Sequence, residues 1–228
     1  MSFELRIRRR MPAPRGAMGS GFALDLDLRT AARRLVIHGP SGAGKSLTLQ
    51  AVAGLLRPDD GLIRVAGETL FDSAQPLDRP SRERRLGYLF QDYALFPHLD
   101  VRQNIAFGLQ QGWRNPSRTG ADERVRHWLG LMGLEGVASQ RPHQLSGGQR
   151  QRTALARALI TEPRALLLDE PFAALDPALR ERLRQELSAL LERLQIPLLM
   201  ITHDAEDLER FGEARVQLQD GRVVASTL

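Results

Sequence analysis

The eight residues Gly39-Pro40-Ser41-Gly42-Ala43-Gly44-Lys45-Ser46 constrain this chain more than any other stretch of it. Their glycines let backbone amides turn inward and approach an anion with no Cβ in the way. The run Arg34-Leu35-Val36-Ile37-His38 reads as a short buried strand aimed into this loop, and Leu47 to Leu55 reads as a helix leaving it. A loop that leaves a strand, cradles phosphate oxygens and opens a helix turns the positive end of the helix dipole toward those oxygens. Such a unit needs a sheet with helices packed on it. Lys45 points the same way. It is the single lysine of a chain that carries arginine at every other basic position, and a compact ammonium on a flexible stem suits a phosphate better than a planar fork.

The remaining sequence supplies a sheet. Phe3 to Arg9 and Phe22 to Leu28 alternate and read as a hairpin or as edge strands around Met11 to Gly21. Leu62 to Phe71, Leu86 to Phe90, Ala165 to Leu168 and Pro197 to Ile201 read as further strands, Pro177 to Leu194 as a long helix, and Ala214 to Ala225 as a hairpin closed at Asp220-Gly221. Between Val101 and Leu159 the apolar periodicity is helical, with helices at Val125 to Leu134 and Gly147 to Leu159 and an exposed loop at Gln110 to Gly120. The expected architecture is a single α/β domain over residues 1–228. Its nucleotide-binding core comprises 1–92 and 161–228 around a mostly parallel sheet, and 93–160 form an inserted helical subdomain.

Composition excludes several classes. With 228 residues the chain can bury a sizeable core, and with no cysteine it has neither disulfides nor thiolate chemistry. The N-terminus carries no apolar stretch of signal-peptide length, and no window approaches the eighteen or so apolar residues of a membrane span. The formal charge of +5 comes from 32 basic and 27 acidic residues mixed along the chain, with small clusters at Arg8 to Arg10 and Arg79 to Arg85. No nucleic-acid partner is expected from that pattern.

A second element completes the phosphate chemistry. Ala165-Leu166-Leu167-Leu168-Asp169-Glu170 is an apolar strand ending in two carboxylates, the pattern of a Walker B segment. Lys45 should reach the β- and γ-phosphates of ATP, and Ser46 and Asp169 should hold Mg2+. Glu170, one residue past the strand end, is free to face an attacking water and is the candidate general base.

The class of phosphate-loop protein is decided by Leu145-Ser146-Gly147-Gly148-Gln149. With this signature the chain resembles the ABC ATPase family over essentially its whole length, because the other marks follow in order: Gln91 resembles the Q-loop, Leu175-Asp176 the D-loop and His203 the switch histidine. The resemblance implies a P-loop NTPase, RecA-like core with an antiparallel β subdomain and an inserted α-helical subdomain. It also implies an ATP site built on Gly39 to Ser46 and Leu47, with Gln91 joining Ser46 and Asp169 around magnesium and His203 orienting the water or γ-phosphate. Leu145 to Gln149 would cover the nucleotide of a second copy of the chain in a head-to-tail dimer, where Asp176 couples the two sites. The upstream aromatic residue that usually stacks on adenine is missing at Arg15-Gly16-Ala17, so adenine is expected to meet Arg15 or an apolar side chain such as Phe22, with loose discrimination among purines.

One compact cassette without a fused span resembles a separate transporter subunit, peripheral to the cytoplasmic face of the inner membrane, rather than a soluble non-transport ABC ATPase. The segment Pro80 to Leu99 is similar to the oxyanion importer branch, molybdate above all, with sulfate, tungstate and other solutes as alternatives. That resemblance implies a membrane permease docking near Tyr93, Leu95 and Phe96, and a periplasmic or extracellular solute-binding protein beyond it. At 228 residues, no room is expected for the C-terminal oxyanion-binding domain that many molybdate subunits carry.

Overall fold

A computed structural model describes residues 1–12, 21–110, 115–117, 122–173 and 175–228. The loop tips at 13–20, which include Arg15, Gly16 and Ala17, and most of the expected loop at 110–120 lie outside the described residues.

Among the described residues a single sheet of eleven strands runs through the molecule in the order β6-β5-β4-β1-β2-β11-β10-β3-β9-β8-β7. Four strands along one side, β3 (Arg34–His38), β9 (Leu198–Ile201), β8 (Ala165–Asp169) and β7 (Leu86–Leu89), are parallel, and β10 (Ala214–Gln219) joins β3 in the same direction. Every residue of β8 and β9 is buried, as expected of strands covered on both faces. On the other side β1 (Phe3–Met11), β2 (Phe22–Thr30), β4 (Asp60–Val65), β5 (Glu68–Asp72) and β6 (Leu77–Asp78) pair antiparallel. There Leu24, Leu26 and Leu28 point inward and Asp25, Asp27 and Arg29 outward, the alternation of a sheet with one wet face.

The structure refines the strand readings. β1 and β2 pair as a hairpin, the first of the two readings, and β4 flanks β1 on its other side. The run Leu62 to Phe71 is two strands, since Ala66 and Gly67 both take left-handed backbone (φ 51° and 80°) and turn the chain. Antiparallel and parallel strands form one continuous sheet, joined where β11 (Arg222–Thr227) lies between β2 and β10.

Helix α1 (Lys45–Ala53) packs on one face of the sheet over Leu35, Ile37, Leu167, Leu199 and Ile201. Its C-terminus ends at Gly54 (φ 76°) and at the buried guanidinium of Arg84, which donates to the Ala51 and Val52 carbonyls at 2.8 and 2.9 Å. A cation there completes orphan carbonyls and meets the negative end of the helix dipole. Part of the cluster at Arg79 to Arg85 is therefore structural. The opposite face is covered by α5 (Pro177–Leu194), by α6 (Ala205–Phe211), and by α2 (Val101–Ala106), α3 (Glu123–Leu131) and α4 (Gly147–Leu159). One apolar core runs from Trp128 and Leu155 in the helices to Leu166, Leu198 and Met200 in the sheet.

The hairpin at the end of the chain supports the phosphate loop. The Gly221 N–H donates to the Ala43 carbonyl at 3.1 Å, and the Asp25 N–H donates to the Gly221 carbonyl at 2.7 Å. Gly39 has φ 146°, and a Cβ there would sit 2.0 Å from the Leu218 carbonyl oxygen. Gly39→Ala should therefore cost on the order of 3 kcal/mol, from strained backbone and a forced separation of loop and hairpin. Thermal unfolding checks this, and an unchanged midpoint would contradict it.

Candidate functional site

In a parallel sheet the loops at the carboxyl ends of the strands share one rim, and ligands bind there. The chain leaves β3 into the phosphate loop, β8 into Glu170 and β9 into His203, so three separate stretches of sequence meet at one edge. A cleft of about 480 Å³ opens there, lined by Ser41, Gly42, Gly44, Lys45, Ser46 and Leu47, by Gln91 and Glu170, and by Met11 and Phe22.

The loop is shaped by its glycines. Gly42 and Gly44 have φ of 79° and 100°, and Gly44 serves as the left-handed N-cap of α1. The Lys45 ammonium folds back over the loop and donates to the Gly39 and Pro40 carbonyls at 2.8 and 2.9 Å. Ala43 is buried beneath the loop.

Ser46 and Asp169 come together across the sheet, the serine hydroxyl donating to Asp169 Oδ1 at 3.3 Å. The Tyr88 hydroxyl, on the neighbouring strand, donates to the same carboxylate. Burial pushes the Asp169 carboxyl above its ordinary value. The hydrogen bonds from Ser46 and Tyr88 and the charge of Lys45 act against that, while the charge of Glu170 adds to it. Burial likewise raises the Tyr88 phenol, and the Asp169 charge reinforces the effect. Two hard oxygen donors beside a phosphate loop fit magnesium, which takes few protein ligands and leaves positions for phosphate oxygens and water.

Glu170 adopts left-handed backbone (φ 46°), and its N–H donates to the Ile201 carbonyl at 2.9 Å. That turn brings its side chain against His203, Nδ1 to Oε2 3.4 Å, with the glutamate mostly shielded and the imidazole exposed. Glu170 on the cleft wall and His203 from the neighbouring strand are thus paired.

The signature residues are placed elsewhere. Ser146 caps α4, accepting from the Gln149 N–H at 3.3 Å while the Gln149 side chain accepts from the Ser146 N–H at 2.9 Å. Added Cβ atoms at Gly147 and Gly148 would meet Leu175 and Leu179, so this helix start packs beside Asp176, and Leu145 is buried behind it. None of the five lines the cleft formed by this chain's own phosphate loop. Asp176 caps α5, accepting from the Leu179 N–H at 3.0 Å, a local role that the motif alone did not indicate.

Three further residues were weakly marked in sequence. Phe22 forms an apolar wall of the cleft, its ring 2.9 Å from where a Gly44 Cβ would stand. Tyr93 is buried, whereas Phe96 lines a groove of about 360 Å³ with Tyr88, Phe90, Phe107 and Arg157. Tyr93 therefore belongs to the core and Phe96 to a surface groove.

Residues 23–173 match the family model described as ABC transporter. The chain is 42% identical over 205 residues to the molybdenum import ATP-binding protein ModC of Paramagnetospirillum magneticum, covering 90% of this chain and 55% of that protein. It is 45% identical over 200 residues to the sulfate/thiosulfate import ATP-binding protein CysA of Synechocystis, covering 87% and 54%. The molybdate/tungstate import ATP-binding protein WtpC of Archaeoglobus fulgidus is 40% identical, with 89% and 80% covered. The chain thus spans about half the length of the molybdenum and sulfate relatives. Among solved structures, the ATP-binding cassette MJ0796, in a dimeric post-hydrolysis state bound to ADP and Pi, superposes with a TM-score of 0.78 at 30% identity, covering 100% of this chain and 98% of that one. The order of the motifs, the cleft they build and these matches agree, and the protein belongs to the ABC transporter family of ATP-binding cassettes.

Proposed function

We propose that the chain is the ATP-binding and hydrolysing subunit of an ABC importer for an oxyanion, with molybdate as the cargo. The observation that carries the chemistry is the convergence of Lys45, Ser46 and Glu170 on one cleft, with Asp169 bonded to Ser46 and His203 against Glu170. On ATP binding, Lys45 exchanges its two carbonyl partners for β- and γ-phosphate oxygens, and the loop amides and α1 receive the same charge. Ser46 and Asp169, with Gln91 on the cleft wall, would hold magnesium, whose contribution is to neutralise charge between the β- and γ-phosphates. Glu170 takes a proton from the attacking water and His203 holds the water or γ-phosphate in line. Phe22 offers adenine an apolar wall without base-specific hydrogen bonds, in keeping with loose purine discrimination.

A second copy is part of this reading. The signature helix start lies away from its own phosphate loop, and the similar solved cassette is dimeric. Leu145 to Gln149 of one copy would close over the nucleotide of the other, with Asp176 at the junction. The groove containing Phe90 and Phe96 adjoins Gln91 and is suited to a helix from a membrane permease. The permease would in turn receive solute from a periplasmic or extracellular binding protein, placing this subunit at the cytoplasmic face of the membrane. Among the described residues no helix is long and apolar enough to cross it.

The molybdate assignment follows the ModC relatives. The similar identity to CysA makes sulfate or thiosulfate the alternative cargo, and tungstate follows from WtpC. The tagged chain purified from detergent-solubilised membranes of its host should carry a multi-span permease, and the cognate binding protein should bind molybdate more tightly than sulfate. Recovery of soluble partners alone, with a control complex intact, would replace the importer reading by a non-transport ABC ATPase.

A further inference from the structure

Arg184 lies on α5, outside the cleft, with 2% exposure. Its Nε donates to Asp207 Oδ1 at 2.6 Å, its Nη2 lies 2.8 Å from Asp204 Oδ2, and its Nη1 pairs with Glu206. The guanidinium also sits over the Phe172 ring, 5.9 Å from its centroid, and Phe172 stacks on Phe211 at the end of α6. These partners adjoin the reacting side chains. Asp204 follows His203, and Phe172 stands two residues after Glu170. Asp207 accepts a second hydrogen bond, from the Thr202 hydroxyl at 2.7 Å, and that hydroxyl accepts from the Asp204 N–H at 3.1 Å. Both neighbours of His203 are therefore tied into one network centred on a single guanidinium.

Stability alone is a poor account of this arrangement. Burying a guanidinium with carboxylates carries a desolvation cost that ion pairing roughly offsets, and apolar replacements of equal volume are often no less stable. What the network adds is geometry. Glu170 holds a left-handed backbone, a conformation costing about 1–3 kcal/mol that persists only where the surroundings over-determine it. His203 has an exposed side chain, with little packing to fix its ring. A planar fork that pairs with Asp204, Glu206 and Asp207 after His203, reaches Thr202 before it through Asp207, and lies over Phe172 in the turn after Glu170 supplies what each lacks. Arg180 reinforces the same node, donating to Asp204 at 3.2 Å and to the Leu175 carbonyl at 3.0 Å, next to Asp176.

We infer that Arg184 is a positioning residue for ATP hydrolysis, holding the β8 turn and the switch loop in register so that Glu170 and His203 stay paired. The inference rests on the proposed roles of those two residues.

Arg184→Lys keeps the charge and removes the fork. A second variant, Arg184→Met with Asp207→Leu, removes the buried charges together, leaving Asp204 paired with Arg180 and Glu206 mostly in water. Each should fold, bind ATP within about threefold of the parent and keep its KM, while kcat falls about 10- to 100-fold, the scale expected when reacting groups are displaced by about 1 Å. Circular dichroism, nucleotide titration and phosphate release give the three readouts. Parent-level kcat in Arg184→Lys overturns the inference, as does a fall in kcat that only tracks lost ATP affinity or lost folded protein. Glu170→Gln, assayed alongside, separates the two levels. If it turns over like the parent, the catalytic reading itself fails; if it is inactive while Arg184→Lys is unimpaired, only the positioning role fails.

Discussion

Glu170→Gln should bind ATP like the parent and hydrolyse it at least about 10³-fold more slowly, within the range that a general base contributes. The amide has the shape of the carboxylate, so the left-handed turn and the hydrogen bond from the Glu170 N–H to Ile201 survive the change. What disappears is the capacity to take a proton from water. The His203 contact at 3.4 Å remains available to a side-chain oxygen, so the imidazole should keep its place. Phosphate release at saturating ATP measures the loss, and a rate within tenfold of the parent would remove Glu170 from the base role. With hydrolysis blocked and binding intact, the variant should also elute as a dimer when ATP is present and as a monomer when it is not.

Lys45→Ala is expected to act at the earlier step, weakening ATP binding by about 100-fold. Charge-assisted hydrogen bonds are worth roughly 1.5–3 kcal/mol each, and about 1.4 kcal/mol corresponds to a factor of ten. The lysine is 7% exposed, so its interactions are shielded from water and its loss is not made good by solvent. Lys45→Arg should restore little. The ammonium now fits between the Gly39 and Pro40 carbonyls at 2.8 and 2.9 Å, a space shaped for a point donor rather than a planar fork. Titration with a fluorescent ATP analogue checks both variants, and near-parent affinity in Lys45→Ala would contradict the phosphate role.

The two variants probe the part of the molecule that was most legible in its sequence. Gly39 to Ser46, the strand before it and the carboxylates after Leu168 form contiguous runs whose chemistry follows from residue type and order. Long periodic elements such as α5 could be read for the same reason. What escaped depends on distant partners. Helix α6 is seven residues long and buries only Asp207 and Phe211, so hydropathy barely marks it; Arg184, twenty-three positions upstream of Asp207, holds it in place. The split of β4 from β5 turns on a positive φ at Ala66, a residue that gives little warning of one. The roles of Tyr88 and Phe22 required knowing which strands stand side by side. The local caps by Ser146 and Asp176 were hidden behind a motif that draws attention to the intermolecular role proposed for the same residues.

The contact of the final hairpin with the phosphate loop bears on how the protein is made. Synthesis proceeds from the N-terminus at roughly 5–20 residues per second, and a domain folds as a unit. The loop at 39–46 leaves the ribosome well before the backbone it rests on at Leu218 and Gly221, which lies far downstream in the sequence. A nascent chain can therefore carry the entire phosphate motif and lack the floor that shapes it. Nucleotide capture should begin only once translation has passed Gly221, making occupancy of the site a report that the cassette has been built through to its closing strands.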